Sequence, residues 1–199
     1  MSIDARWRTL LSAARTAHDR IPALGNFCPF PEDLRPAEPA PHHIPASDLL
    51  VADRGLYAGD ATRPLRDAFT AVAPIAQWRE TYRGTGIGED FLSRFGCYCL
   101  IGQGGAWRSG RMAAYVVYMP PGLHYPWHHH PAEEQYLVLG GEARFMRGGE
   151  PDEVLRPGDV SFHASNQPHA METGDHPVMA YVLWRNGFQT APVLSGDVT

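Results

Sequence analysis

Apolar residues recur over residues 3–21 at Ile3, Trp7, Leu10, Leu11, Ala14 and Ala17, with polar groups between them. This is the spacing of one helical face, so an amphipathic helix is predicted whose apolar stripe needs a partner. From Pro22 to Pro45 the rhythm breaks, with Pro29, Pro31, Pro36, Pro39 and Pro41 in between. Proline withholds a backbone donor and is excluded from helix interiors, and an extended, wrapping segment is expected there. Helical spacing returns at Leu65, Phe69, Val72 and Ile75 and predicts a second helix over about 61–82, with Pro64 in its first turn and Pro74 kinking it. The run Gly84-Thr-Gly-Ile-Gly88 reads as a turn. A phosphate-cradling loop needs a strand before it and Lys-Ser/Thr after it, and neither is present.

After Phe95 the pattern changes to short apolar runs separated by Gly and Pro, at 97–101, 112–119, 134–139, 143–146, 160–163 and 178–184. Short strands at regular intervals with turn signals between them predict a sandwich or barrel. The expected plan is mainly β: a helical and extended N-terminal region over 1–95 packing on a β-barrel over 96–199. No internal repeat is visible.

The 199 residues, 44% of them hydrophobic, are enough for one good-sized core. A net charge of -5 with no Lys/Arg-rich run favours neither nucleic acid nor an anionic membrane as partner, leaving a small molecule as the expected ligand. No stretch approaches the ~18 apolar residues that span a bilayer, and the first residues lack the apolar core of a signal peptide. A soluble, cytoplasmic monomer or homodimer is expected. Of the three cysteines, Cys97 and Cys99 alternate on one strand and share a face, where neighbours rarely cross-link. Together with Cys28 they read as reduced core thiols, in keeping with a reducing compartment.

Candidate chemistry concentrates in the stretch from Gly122 to Gly141. Residues two apart on a strand share a face, so His128 and His130 point together, as do Glu134 and Tyr136 on the next strand. Two imidazoles and a carboxylate can then converge inside a barrel, while His129 points away. Downstream, Pro157-Gly-Asp makes a tight turn and His169 opens a strand after Pro168, supplying a third imidazole. Neutral imidazoles with a carboxylate suit Zn2+, Fe2+, Mn2+, Ni2+ or Co2+. Tyr136 normally titrates near ~10, but a divalent cation beside it favours phenolate and makes it usable as a base. Aromatics near these ligands, among them Tyr125, Trp127 and Trp184, suit a small organic cation that also carries a carboxylate. Tyr115 and Tyr118 differ in parity, as do Tyr181 and Trp184, so only one of each pair faces inward. His163 and His124 are candidates to line the pocket, whereas His42, His43 and His176 read as ordinary packed or exposed histidines.

The two segments resemble the paired signatures of the cupin superfamily: Gly-x5-His-x-His-x3-Glu-x6-Gly at Gly122, His128, His130, Glu134 and Gly141, and a Pro-Gly-Asp turn followed by a distant His. The resemblance implies a jelly-roll-like barrel holding one divalent ion. The further pattern Glu-x-Tyr at 134–136, the preceding Tyr125, the length and the helical extension look like the cupin-type dimethylsulfoniopropionate (DMSP) lyases. The DddQ branch is the most similar, alongside DddL, DddW and DddK. That resemblance implies metal ligands at His130, Glu134 and His169 with His128 and Tyr136 also near the ion, Tyr136 as base and Tyr125 in contact with substrate. Trp127, Trp184 and His163 complete the expected substrate-binding set. The implied reaction is β-elimination of zwitterionic DMSP to dimethyl sulfide and acrylate, with the metal binding the substrate carboxylate and Tyr136 removing the α-proton. Two rival readings share the ligand set: an Fe(II) cupin dioxygenase, and a cupin module that binds a carboxylate ligand without turnover.

Overall fold

A computed structural model describes residues 3–196 of the chain. Helix α1 (Ala5–Arg20) is N-capped by Asp4, whose side chain accepts from the Arg6 amide, and it buries Trp7, Leu10, Ala14 and Ala17 of the predicted stripe along with His18. The proline-dense segment departs from the expected extended course. It opens as helix α2 (Pro22–Phe27), contributes the two-residue strand β1 (Arg35–Pro36) and ends where helix α3 (Pro45–Ala52) begins. Pro22 and Pro45 each sit in a first helical turn, where a missing N–H costs nothing, so both start helices.

The second predicted helix is shorter than its apolar spacing suggests. Helix α4 covers Arg63–Val72, a 3-10 turn follows at Ala73–Ile75, and the chain then runs irregularly to the helix α5 (Glu89–Arg94). Pro74 ends the helix rather than kinking it: it withholds the N–H that a continuing helix needs, and beyond it the buried Trp78 donates its indole N–H to the Ala73 carbonyl.

From Gly96 onward the chain is nearly all strand: β2 (Gly96–Ile101), β3 (Trp107–Arg108), β4 (Ala113–Met119), β5 (His124–His129), β6 (Glu133–Gly141), β7 (Ala143–Arg147), β8 (Glu153–Leu155), β9 (Val160–His163), β10 (His169–Glu172), β11 (Val178–Arg185) and β12 (Val193–Leu194). They form a seven-stranded sheet ordered β1-β3-β2-β4-β11-β6-β9 and a five-stranded sheet ordered β12-β5-β10-β7-β8. This is a cupin architecture, mainly β, carrying an N-terminal helical extension.

The larger sheet is covered on both faces, which explains its unbroken apolar runs. Tyr115, Val117, Tyr136, Val138, Val182 and Trp184 belong to the cluster between the sheets, whereas the alternate residues Val116, Tyr118, Leu137, Tyr181 and Leu183 join the cluster made with the helices. Phe69 of α4 lies edge-on to Tyr98 of β2 at 5.8 Å, and Trp7 of α1 meets the same ring at 6.1 Å. Turn chemistry fixes where β6 ends: Gly141 adopts φ +69°, and a Cβ there would sit 1.8 Å from the Pro177 carbonyl oxygen. The last glycine of the sequence motif is therefore a backbone requirement.

His18 is 6% exposed, between the rings of Phe30 and Tyr181. Burial pushes its pKa down to about 4. An unfolded histidine titrates near ~6.5, so the native state keeps its full stability above that pH and loses it as pH falls toward the folded value, by roughly 3 kcal/mol in all. His18→Leu is expected to flatten the dependence of urea-unfolding stability on pH between 6.5 and 4; a slope equal to that of the parent would refute this.

Candidate metal centre and cavity

The strand register brings both sequence segments to one place between the sheets. His128 of β5 lies opposite His169 of β10, while on the larger sheet Glu134 of β6 is flanked by His163 of β9 and Trp184 of β11. His130 follows the end of β5, and its carbonyl accepts from the Asn166 amide at 2.8 Å. The Ser165 hydroxyl donates to the Pro131 carbonyl at 2.6 Å, tying the loop before His169 to the loop carrying His130. His128, His130, Glu134 and His169 are each at most 2% exposed.

Three of these imidazoles share one hydrogen-bonding device. Nδ1 faces a backbone carbonyl two residues away: Pro126 for His128 at 2.8 Å, Ala132 for His130 at 3.0 Å and Gln167 for His169 at 2.9 Å. A carbonyl only accepts, so Nδ1 carries a proton in each ring, and Nε2 is the nitrogen left to take either a second proton or a metal ion. In His130 and His169 that Nε2 is buried without a hydrogen-bond partner among the described residues. The two lie 3.5 and 3.1 Å from Glu134 Oε2. Donors about 2.1 Å from a common ion stand roughly 3.0–3.4 Å apart, so the spacing fits a divalent metal. The donor atoms of His130, Glu134 and His169 all lie within 4.8 Å of one another; His128 stands outside that group, its ring 4.1 Å from that of His169.

Glu134 is held from behind. His163 Nδ1 donates to Oε2 at 2.7 Å and the Trp184 indole donates to Oε1 at 2.5 Å, while His163 Nε2 faces the Ser161 hydroxyl at 3.1 Å. Burial opposes the charge on Glu134, yet His130, His169 and the His163 bond keep its carboxyl well below the usual carboxylate range. Burial pushes His163 down to about 4, so it stays neutral with both nitrogens engaged.

A narrow cavity opens beside these groups. Phe95, Cys97, Tyr115, Tyr125, Tyr136 and Trp184 line it, together with His128, Glu134 and Arg79. Tyr125 owes its place to a bulge in β5. Between the pairs Tyr125–Met171 and His128–His169, β5 uses three steps where β10 uses two. The extra residue puts Tyr125 on the same side as His128, their rings stacked at 4.0 Å, and against simple alternation it separates Tyr125 from Trp127. The Tyr125 and Tyr82 hydroxyls are 2.7 Å apart.

Residues 31–180 match the family model of dimethylsulfoniopropionate lyase. The chain is also 50% identical over 192 residues to dimethylsulfoniopropionate lyase DddQ of Ruegeria pomeroyi, spanning 96% of this chain and 95% of that one. The chain belongs to the dimethylsulfoniopropionate lyase family. The crystal structure of DMSP lyase DddQ from Ruegeria pomeroyi DSS-3 superposes with a TM-score of 0.96 at 48% identity, covering 98% of this chain and all of that one. A structure described with the DMSP lyases RdDddP and RnDddQII gives 0.92 at 42% identity, over 96% of this chain and 98% of that one.

Within this DMSP lyase family member, the sequence-derived candidates separate. His128, His130, Glu134, Tyr136, His169, Tyr125 and Trp184 gather at the centre or its cavity. Two expected substrate contacts do not: Trp127 is half-buried outside the cavity lining, and His163 sits behind Glu134 because β9 pairs with β6 there. His124 is exposed. Arg79 and Tyr82, which sequence reasoning missed, come from irregular chain in which no periodicity marks an inward-facing residue.

His169→Ala is expected to abolish stoichiometric uptake of a divalent ion, whereas His163→Ala, which removes only a partner of Glu134, weakens uptake by roughly 10–100-fold. Equilibrium dialysis with elemental analysis checks both. Full occupancy in His169→Ala, or parental affinity in His163→Ala, would overturn this division of roles.

Proposed function

We propose that the protein is a metal-dependent lyase that cleaves dimethylsulfoniopropionate by β-elimination to dimethyl sulfide and acrylate. The observation that carries this is the pair of buried, unpartnered Nε2 atoms of His130 and His169 facing Glu134, next to a cavity lined by Tyr136 and Tyr125, in a chain of the DMSP lyase family. His130, Glu134 and His169 are the proposed ligands, with His128 as an outer fourth. Zn2+ and Fe2+ suit this nitrogen and oxygen donor set, with Mn2+, Ni2+ and Co2+ as further options. When bound, the ion would supply positive charge that acidifies both the substrate's α-proton and the phenol of Tyr136.

Tyr136 is 3% exposed, and burial and the Glu134 carboxylate raise its pKa well above the ordinary tyrosine range. The residue is thereby kept as phenol until a cation shares the site. In the proposed step the Tyr136 phenolate accepts the α-proton and the C–H electron pair forms the carbon–carbon double bond. The C–S pair leaves on sulfur, which neutralises the sulfonium. No oxidant is consumed. Tyr125, Phe95 and Trp184 supply aromatic rings to the cavity lining, which suits a sulfonium cation, and Tyr82 fixes the Tyr125 hydroxyl. The three cysteines are unpaired, and no helix among the described residues is long and apolar enough to cross a membrane. A reducing, cytoplasmic setting fits the free thiols.

Purified protein is expected to release dimethyl sulfide from DMSP into headspace at the same rate with and without oxygen. Strict dependence on oxygen would point to a dioxygenase, and no release at all to a binding module. Tyr136→Phe should keep the metal and lose roughly 10²–10⁴-fold in turnover. Near-parental turnover at equal metal occupancy would remove Tyr136 from the role of base.

A further inference from the structure

Arg79 is the one arginine or lysine among the described residues that lines the cavity, and it also lines a second recess that shares Tyr115 and Trp184 with it. It therefore stands where the two spaces meet. Its backbone amide donates to the Cys97 carbonyl at 2.8 Å, fixing this irregular segment to β2. Its guanidinium carbon lies 5.2 Å from the centre of the Tyr115 ring. The Tyr115 ring packs edge-on to Trp184 at 5.3 Å, the residue that bonds Glu134.

Arg79 lacks the partner that most structural arginines have. Arg83, Arg94, Arg144, Arg147, Arg156 and Arg185 each pair with a carboxylate. Among the described residues Arg79 makes neither an ion pair nor a side-chain hydrogen bond; its close electrostatic neighbours are tyrosines and cysteines. A guanidinium presents five donors in a rigid fork that matches a carboxylate, and leaving it unpaired at a half-buried site is unfavourable unless a ligand supplies the anion. The other groups around it do not pair with it: the carboxylate of the cavity, Glu134, is engaged by His163 and Trp184, the tyrosines are phenols, and Cys97 and Cys99 are pushed up by burial to about 11 and 12.

We propose that Arg79 binds the carboxylate of the bound substrate where the recess and the cavity share a wall. This role rests on the lyase reading only for the identity of the substrate. A guanidinium attracts the carboxylate end of a zwitterion and repels its sulfonium end, so Arg79 also sets the direction in which the molecule enters. The carboxylate product leaves past the same group.

The test uses metal-loaded parent protein, Arg79→Gln and Arg79→Lys, with propionate as the probe and binding read by calorimetry. Loss of a charge-assisted bond should weaken propionate binding by roughly 10–100-fold in Arg79→Gln. Arg79→Lys should recover part of it, at unchanged metal content and melting temperature. With DMSP, KM should rise by a similar factor in Arg79→Gln while kcat stays within about threefold. The proposal is overturned if the parent does not bind propionate, if Arg79→Gln binds it within about twofold of the parent, or if Arg79→Lys is no better than Arg79→Gln. Dimethyl sulfide release by the parent is scored separately. Its absence would sink the lyase reading and leave the propionate result to judge Arg79 alone.

Discussion

A carboxylate sealed between two sheets is tolerated only when its lone pairs are occupied and charge is supplied nearby. Glu134, 1% exposed, is that carboxylate, and much of the interior is arranged around it. From the larger sheet, His163 of β9 and the Trp184 indole of β11 each donate one hydrogen bond to it, while His130 and His169 approach from the smaller sheet and the loop beside it. The backbone carbonyls of Ala132 and Gln167 then decide which nitrogen of each imidazole faces inward. The site is thus built from strands that meet only when both sheets are assembled, and its electrostatics depend on that assembly.

The parts of this arrangement that could be read in the sequence are those that obey strand parity. His128 with His130, and Glu134 with Tyr136, were paired by alternation, and the structure gathers all four around one centre. Parity also separates Tyr115 from Tyr118 and Trp184 from Tyr181, as the two core clusters show. It fails at Tyr125 and Trp127, which alternation puts on one face: a bulge inserts a residue and turns only Tyr125 to the side of His128. It cannot assign His163, whose role is set by the strand opposite it. Arg79 and Tyr82 lie outside any period.

The fold shows the same division. Helix α1, with 16 residues, carries enough turns for its stripe to be visible, whereas α2, α3 and α5 have six to eight and carry too few. Prolines that read as breakers act as starters at Pro22 and Pro45 and as a terminator at Pro74, a distinction that depends on where each falls relative to the first helical turn. The apolar runs after Phe95 were recognisable as strands, although their lack of polar alternation has a tertiary cause: the N-terminal helices cover the outer face.

That covering has a consequence for how the chain is made. Tyr181 of β11 meets His18 of α1 across 163 positions, and Arg185 bonds the Phe27 carbonyl across 158. Helix α1 thus leaves the ribosome long before β11, the strand it packs against. Throughout synthesis the apolar stripe of α1 therefore lacks part of its final seat, and the nascent chain carries an uncovered greasy surface until β11 has been added.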